Sequence, residues 1–321
     1  MIDIGARRTE QLLPFVKLTD EIKHIMQLAR NGGVRWIERN CITLDSGTTL
    51  FSMVAADDEI LVNKTVTLNP ANPAAGRRMQ GGQAAVFDTT QGAPLMVLDG
   101  PTLTVRRTAA VSAVAVEGMF RNAKSALIVG SGMVARAHVQ SLVEINGIRE
   151  LAIHGRDLHA AERLAQFARS LGCRCMVVAD VEKFMENFDV VVTATSSSTP
   201  VLPSFARTGQ LIVAVGSYKP SMAELPIQLV LSAEMIVVDH LEAAEAEAGE
   251  LMQAQLDWFK VHELADALEG VALSRPPTSH RVFKSVGHSL WDLAAARVAW
   301  RGLFSTRVSP SGPARLAPAN D

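Results

Sequence analysis

The segment Ala126-Leu127-Ile128-Val129-Gly130-Ser131-Gly132-Met133-Val134-Ala135 constrains the fold of this chain more than any other. A short apolar run reads as a buried strand, a glycine turn follows, and the residues after it open a helix. The spacing is G-x-G-x-x-A. Gly130 permits the tight turn, Gly132 lets the backbone approach a pyrophosphate, and Ala135 keeps the helix close to the sheet. With Ser131, Met133 and Val134 between them, these residues would present the unpaired N–H groups of a helix start to a phosphate.

Strands alternate with helices downstream. Strands are expected over 126–129, 150–154, 175–178, 190–194, 211–215 and 236–238, and helices over 134–145, 158–171 and 181–187. That alternation builds a parallel sheet, so residues 121–289 are expected to form a Rossmann-like dinucleotide-binding domain. Residues 1–120 read as a mixed α+β domain: a helix near 18–30, then strand-like runs over 41–44, 49–54, 59–68, 84–88 and 94–98. Hairpin turns are expected at Asp57-Asp58 and Thr90-Gln91-Gly92. The fold class is therefore α/β. The stretch 241–251 carries Glu242, Glu245, Glu247 and Glu250 and reads as one helix with a solvated acidic face. Residues 306–321, rich in proline and small side chains, read as a loose tail.

A net charge of −2 over 321 residues gives no basic field for nucleic acid. No apolar run reaches the roughly 18–20 residues of a membrane helix, and the first residues lack the pattern of a signal peptide. Three cysteines, an odd count, suit a reducing compartment, the cytoplasm. Cys173 and Cys175 have no neighbouring Cys or His with ligand spacing, so they read as strand residues and no metal is expected.

Charged residues in apolar settings mark the candidate site. In the run 60–68, Lys64 shares a strand face with Ile60, Val62, Val66 and Leu68. A buried ammonium needs a partner or a pocket; the alternative is a lysine snorkelling at a sheet edge. Arg106 and Arg107 precede a helix expected over 108–120, where cations oppose the helix dipole unless an anion lies between. The alternative is two solvent-facing arginines. Arg39 precedes the strand at 41–44, and its role is not fixed locally. The second Rossmann strand ends His154-Gly155-Arg156-Asp157, with no acid at its end for a ribose hydroxyl and with Arg156 at hand for a 2′-phosphate. NADPH is therefore the expected cofactor, with NADH as the lesser one. His154 would add to the phosphate pocket or flank it, and Asp157 reads as a helix N-cap.

Several segments occur in a family-like order: Arg107-Thr108-Ala109-Ala110, the glycine fingerprint, Val192-Thr193-Ala194-Thr195-Ser196, Val215-Gly216-Ser217-Tyr218-Lys219-Pro220, Glu247-Ala248-Gly249-Glu250 and Phe283-Lys284-Ser285-Val286-Gly287. Together they resemble the ornithine cyclodeaminase/mu-crystallin family over about residues 12–298. The resemblance implies a Rossmann domain plus a split substrate-binding and dimerisation domain, residues 1–120 completed by about 290–305, in a homodimer. It implies that Lys64 is the active-site lysine and that Arg39 and Arg107 grip a substrate carboxylate. It places Asn72 in a loop near the site and Thr195, Ser196 and Gly216 by the cofactor. Cyclodeaminases of the family carry an aspartate where this chain has Tyr218, and an acid at the end of the second Rossmann strand. Both departures favour a reductase. The expected reaction is NAD(P)H-dependent reduction of small cyclic imino acids: Δ1-pyrroline-2-carboxylate to L-proline, and Δ1-piperideine-2-carboxylate to L-pipecolate. The alternatives are an ornithine cyclodeaminase, an alanine-dehydrogenase-like enzyme, and a non-catalytic crystallin-like binder of NADPH and a small ligand.

Overall fold

The computed structural model describes residues 1–269 and 277–304; the tail expected over 306–321 lies outside them. Two sheets organise the chain. The first has six strands: β1 (Ile2–Ile4), β2 (Arg35–Thr43), β3 (Thr49–Ala56), β4 (Ile60–Leu68), β5 (Gln80–Asp88) and β6 (Pro94–Asp99). Their order is β1-β6-β5-β4-β3-β2, with β2 to β6 antiparallel and β1 parallel to β6. Both expected hairpin turns are present. Asp57 caps the β3–β4 turn by accepting from the N–H groups of Glu59 (2.8 Å) and Ile60 (2.9 Å). Gly92, at φ +67°, closes the β5–β6 turn.

Strand β2 begins at Arg35 rather than Cys41, so Arg39 lies within it. The polar run Glu38-Arg39-Asn40 interrupts the alternation on which strand recognition depends. The pairing shows why. Ile37 faces Val54 and Asn40 faces Ser52, which leaves both Glu38 and Arg39 against Met53. This is a β-bulge, a device that re-aims a side chain.

The second sheet holds β7 (Ser125–Val129), β8 (Glu150–His154), β9 (Arg174–Val177), β10 (Val190–Thr193), β11 (Leu211–Ala214), β12 (Met235–Val238), β13 (Val261–Glu263) and β14 (Arg281–Lys284). All are parallel, in the order β13-β12-β14-β11-β10-β7-β8-β9. From β7 the chain runs outward to β9 and returns to β10 on the other side of β7. The crevice between β7 and β10 is the topological switch point where such sheets bind ligands. The sequence shows no apolar run for β14, because Arg281 and Lys284 bracket only Val282 and Phe283, yet all four are buried in mid-sheet.

The helix Gly100–Met119 contacts both sheets and is buried nearly all round, as a helix without a polar face must be. It starts well before residue 108: Asp99 is its N-cap, accepting from the Thr102 N–H at 2.9 Å. Arg106 and Arg107 therefore sit inside the helix and not at its start, and the expected conflict with the dipole does not arise. The stretch 241–251 is two helices, Leu241–Glu247 and Gly249–Gln253. Glu242 and Glu245 are solvent-exposed as expected, whereas Glu247 is half-buried and Glu250 fully buried. Their partners lie far away in the chain, where no local pattern reaches. After β14 the chain returns as the helix Ser289–Phe304, which packs on Phe15–Arg30 and across β3 and β4. Among the described residues no helix is long and apolar enough to cross a membrane.

Candidate active site

A cavity of about 1020 Å³ lies between the first sheet and the carboxyl ends of the second. Lys64 reaches it from the middle of β4. Ile60, Val62, Val66 and Leu68 are buried on the same strand face, as the alternation predicts. The ammonium has a partner. Lys64 Nζ lies 2.7 Å from both carboxylate oxygens of Asp292, on the helix Ser289–Phe304. Both side chains are almost wholly buried. Burial dominates the lysine's acidity and pushes its pKa from 10.5 down to about 7. Asp292 opposes that fall, while the positive charges of Arg107 and Arg39 add to it.

Arg107 donates from Nε to Asp292 Oδ1 at 3.2 Å, so one carboxylate holds both cations. Its two Nη groups lie against Gly287, where a Cβ would come within 2.7 Å of each. Gly287 has φ +85°, a conformation open to glycine at no steric cost. The guanidinium thus slides over bare backbone and presents its fork to the cavity, which it lines. Arg106 has a different task. It donates to the Leu13 carbonyl from Nε (3.1 Å) and Nη2 (2.7 Å), and its guanidinium stacks on the Phe15 ring at 3.6 Å. It ties the first helices to the central one.

The β2 bulge turns Arg39 toward the same cavity, but the fork is already engaged. Nη1 donates to Glu247, and Nη2 donates to the carbonyls of Val286 (3.0 Å) and Gly287 (2.6 Å). The Nη atoms of Arg39 are therefore not free to grip a substrate carboxylate as a fork in this arrangement; Nε and the positive field remain. The loop that Arg39 holds is built on Asp239. Its carboxylate accepts from the Ser285 hydroxyl, the N–H groups of Val286 and Gly287, and Trp291 Nε1.

Tyr218 lines the cavity half-buried, its ring edge-on to Phe51 with centroids 6.1 Å apart. The loop under it rests on a buried ion pair. Lys284 Nζ lies 3.3 Å from Glu250 Oε1 and donates to the Ser217 carbonyl at 2.7 Å. Asn72 is not brought to the cavity. Its side chain donates to the Arg78 carbonyl at 3.0 Å and so shapes the loop 69–79, whose Arg78 and Met79 do line it. The Asn-Pro pair marks a turn correctly, but a turn residue spends its polar atoms on its own loop.

On the Rossmann side, Gly130 has φ +126°, and a Cβ there would fall 2.5 Å from the Ala194 carbonyl oxygen, so β7 and β10 converge too closely for any side chain. Gly132 is the N-cap of the helix Met133–Glu144, with no side-chain cap and open space where a Cβ would stand. The first N–H groups of that helix are left for a ligand, so the cradle fits a pyrophosphate. Ser131, Met133 and Val134 line it. Ala135 is fully buried behind the cradle, packing helix on sheet, and does not line the cavity. His154 lines the cavity with Nδ1 3.0 Å from the Val178 carbonyl, and Arg156 stands exposed beside it. Asp157 is an N-cap, accepting from His159 and Ala160 N–H groups.

Thr195 and Ser196 line the cavity; Gly216 does not, and packs against the Thr195 carbonyl so closely that a Cβ there would fall 2.1 Å from its oxygen. Glu224, fully buried and unforeseen, accepts from the Thr195 N–H and hydroxyl, the Thr193 hydroxyl and the Gly216 N–H, at 2.7–2.9 Å. It binds the ends of β10 and β11 together. Asp292 was also unforeseen, although Leu290-Trp291-Asp292-Leu293-Ala294 offered the signal that identified Lys64: a charge amid apolar neighbours.

The profile of the ornithine cyclodeaminase/mu-crystallin family matches residues 5–305. The chain is 34% identical over 303 residues to Delta(1)-pyrroline-2-carboxylate reductase 2 of Burkholderia ambifaria, spanning 94% of this chain and 96% of that one. It is 36% identical over 272 residues to a Delta(1)-pyrroline-2-carboxylate/Delta(1)-piperideine-2-carboxylate reductase of Azospirillum brasilense, spanning 84% and 86%. Its backbone superposes on Thermococcus litoralis Delta(1)-pyrroline-2-carboxylate reductase, solved in complex with NADH and L-proline, with a TM-score of 0.90. That match is 25% identical and covers 96% of this chain and 99% of the other.

Proposed function

The chain belongs to the ornithine cyclodeaminase/mu-crystallin family, and from that premise we propose that it is an NAD(P)H-dependent ketimine reductase. Its substrates are Δ1-pyrroline-2-carboxylate, reduced to L-proline, and Δ1-piperideine-2-carboxylate, reduced to L-pipecolate. The relatives named for these reactions support the reading. The observation that carries it is the charge of the cavity wall. Arg39, Lys64, Arg78, Arg107, Arg156 and Lys219 line it, and among the described residues the one carboxylate is Asp157, beside Arg156 at the cofactor end. Such a wall suits a small anion. It offers no acid for the second amino group of ornithine, and Tyr218 stands where a cyclodeaminase would supply one.

The residues divide the work. The Arg107 fork takes the substrate carboxylate at two points. Lys64, protonated below about pH 7, gives its proton to the imine nitrogen, because a protonated imine is the better acceptor. Phe51, Met53 and Val66 form an apolar wall that keeps water from the reacting carbon. When bound, the reduced nicotinamide supplies a hydride to C2 of the C=N bond. The Gly130–Val134 turn holds its pyrophosphate. Arg156, with no acid at the end of β8, favours NADPH over NADH.

Residues 1–120 with 290–305 serve as the substrate-binding and dimerisation unit, and 121–289 as the cofactor unit. The homodimer is supported by β2, an edge strand exposed on both faces, where Trp36, Ile37 and Ile42 meet solvent. A cytoplasmic setting is supported by three free cysteines.

The test is NADPH consumption with Δ1-pyrroline-2-carboxylate, NADH in parallel, and proline identified as product. Ammonia released from ornithine with NAD present, and no net nicotinamide oxidation, would overturn the reading.

A further inference from the structure

Asp292 touches the two cations of the site from behind. It is not part of the cavity wall, whereas Lys64 and Arg107 are. It is 1% exposed, stands among the buried side chains of Leu290, Trp291, Leu293 and Ala294, and spends its carboxylate on Lys64 Nζ and Arg107 Nε. A buried carboxylate is retained only where its charge is matched. Here it matches one cation of two. The cluster of Lys64, Arg107 and Asp292 then carries one net positive charge, which one substrate carboxylate neutralises. Arg39 and Glu247 neutralise each other alongside. Without Asp292, two cations would face each other in a desolvated site.

We propose that Asp292 is a positioning residue for the reduction: acting through Lys64 and Arg107, it holds the lysine's proton in place for the imine nitrogen and turns the arginine's fork toward the substrate carboxylate. This deepens the ketimine-reductase reading and rests on it. The charged groups that bear on Lys64 are Asp292, Arg107 and Arg39. Asp292 favours the protonated lysine and the two arginines disfavour it, so removing the Asp292 charge moves the lysine's titration toward acid.

The experiment compares wild type, Asp292→Asn, Lys64→Met and the double variant. Three readouts are taken: the pH profile of kcat/KM, NADPH affinity, and the Lys64 side-chain resonance of the substrate-free protein during titration, assigned by its loss in Lys64→Met. Asp292→Asn is expected to shift the alkaline limb of kcat/KM to lower pH by about one unit or more, the scale of a close opposite charge. Turnover should fall at least about tenfold at pH 8 and partly recover at pH 6, with NADPH affinity within twofold of wild type. The double variant should be no slower than Lys64→Met. A wild-type limb in Asp292→Asn, or a loss of rate uniform across pH, overturns the proposal. If Asp292→Asn does not fold, Asp292→Glu replaces it; that variant should keep the limb within half a unit of wild type, and a limb as displaced as that expected for the amide overturns the proposal. The resonance separates the two levels. A lysine titration that shifts in a protein whose wild type reduces no imine sinks the reductase reading and leaves the placement of Asp292 intact.

Discussion

Replacing Gly287 by Ala should disable the Arg107 fork while leaving the cofactor cradle untouched. The added Cβ would stand 2.7 Å from both Nη atoms, and ordinary contact begins near 3.4 Å, so one side must retreat by about 0.7 Å. The backbone cannot retreat easily, since the Gly287 N–H donates to Asp239 at 2.9 Å and its carbonyl accepts from Arg39 at 2.6 Å. The guanidinium moves instead. Losing one charge-assisted hydrogen bond to the substrate carboxylate costs roughly 1.5–3 kcal/mol. At about 1.4 kcal/mol per factor of ten, that is a rise in KM of roughly 10- to 150-fold. Holding an alanine at φ +85° costs a further ~1–2 kcal/mol of stability, for a modest fall in Tm. Steady-state kinetics with Δ1-pyrroline-2-carboxylate, NADPH titration and a melting curve read all three quantities. A KM within twofold of wild type in a folded variant would show that Arg107 does not bind the carboxylate.

Four further outcomes are expected. Burial lowers Lys64 to about 7, so a donor that must be protonated is intact below that pH and lost above it; kcat/KM should fall roughly tenfold per unit beyond pH 7 to 8, and a flat profile to pH 9 contradicts the assignment. The same group has a linked effect on folding. Between about 7 and 10 the unfolded chain binds the proton and the folded one does not, so the Lys64 contribution to stability grows with pH across that window, measurable by urea unfolding. Arg156→Glu should cost NADPH at least about tenfold in kcat/KM through repulsion of the 2′-phosphate and spare NADH; equal losses for both cofactors count against its role. Lys284→Met leaves Glu250 buried and uncompensated and should cost about 3–5 kcal/mol in urea unfolding, much of it recovered by adding Glu250→Gln.

The legible parts of this chain are those whose signal is local. The glycine turn, the helix after it and the alternation around Lys64 are written within ten residues, and each stands where the sequence places it. What escaped is non-local. Arg39 is aimed by a bulge that exists only in register with β3. Glu247 looked like a solvated acid because its partner lies 208 residues away. Arg107 does line the cavity, but the dipole conflict that singled it out vanishes once the helix begins at Gly100. Strand β14 was missed because its ends are charged, and those charges are satisfied by Glu234 and Glu250, which only the folded sheet brings near.

The pairing of Lys64 with Asp292, 228 residues apart, also sets an order of events in time. A ribosome delivers both cations of the site early and their counter-charge late, after the whole parallel sheet from β7 to β14 has been made. Until the helix Ser289–Phe304 emerges, β4 carries a lysine whose burial would leave its charge unmatched or cost it its proton. The counter-charge of the site is therefore complete only once that helix docks. A chain lacking that helix would carry the glycine cradle complete but Lys64 and Arg107 without their shared carboxylate.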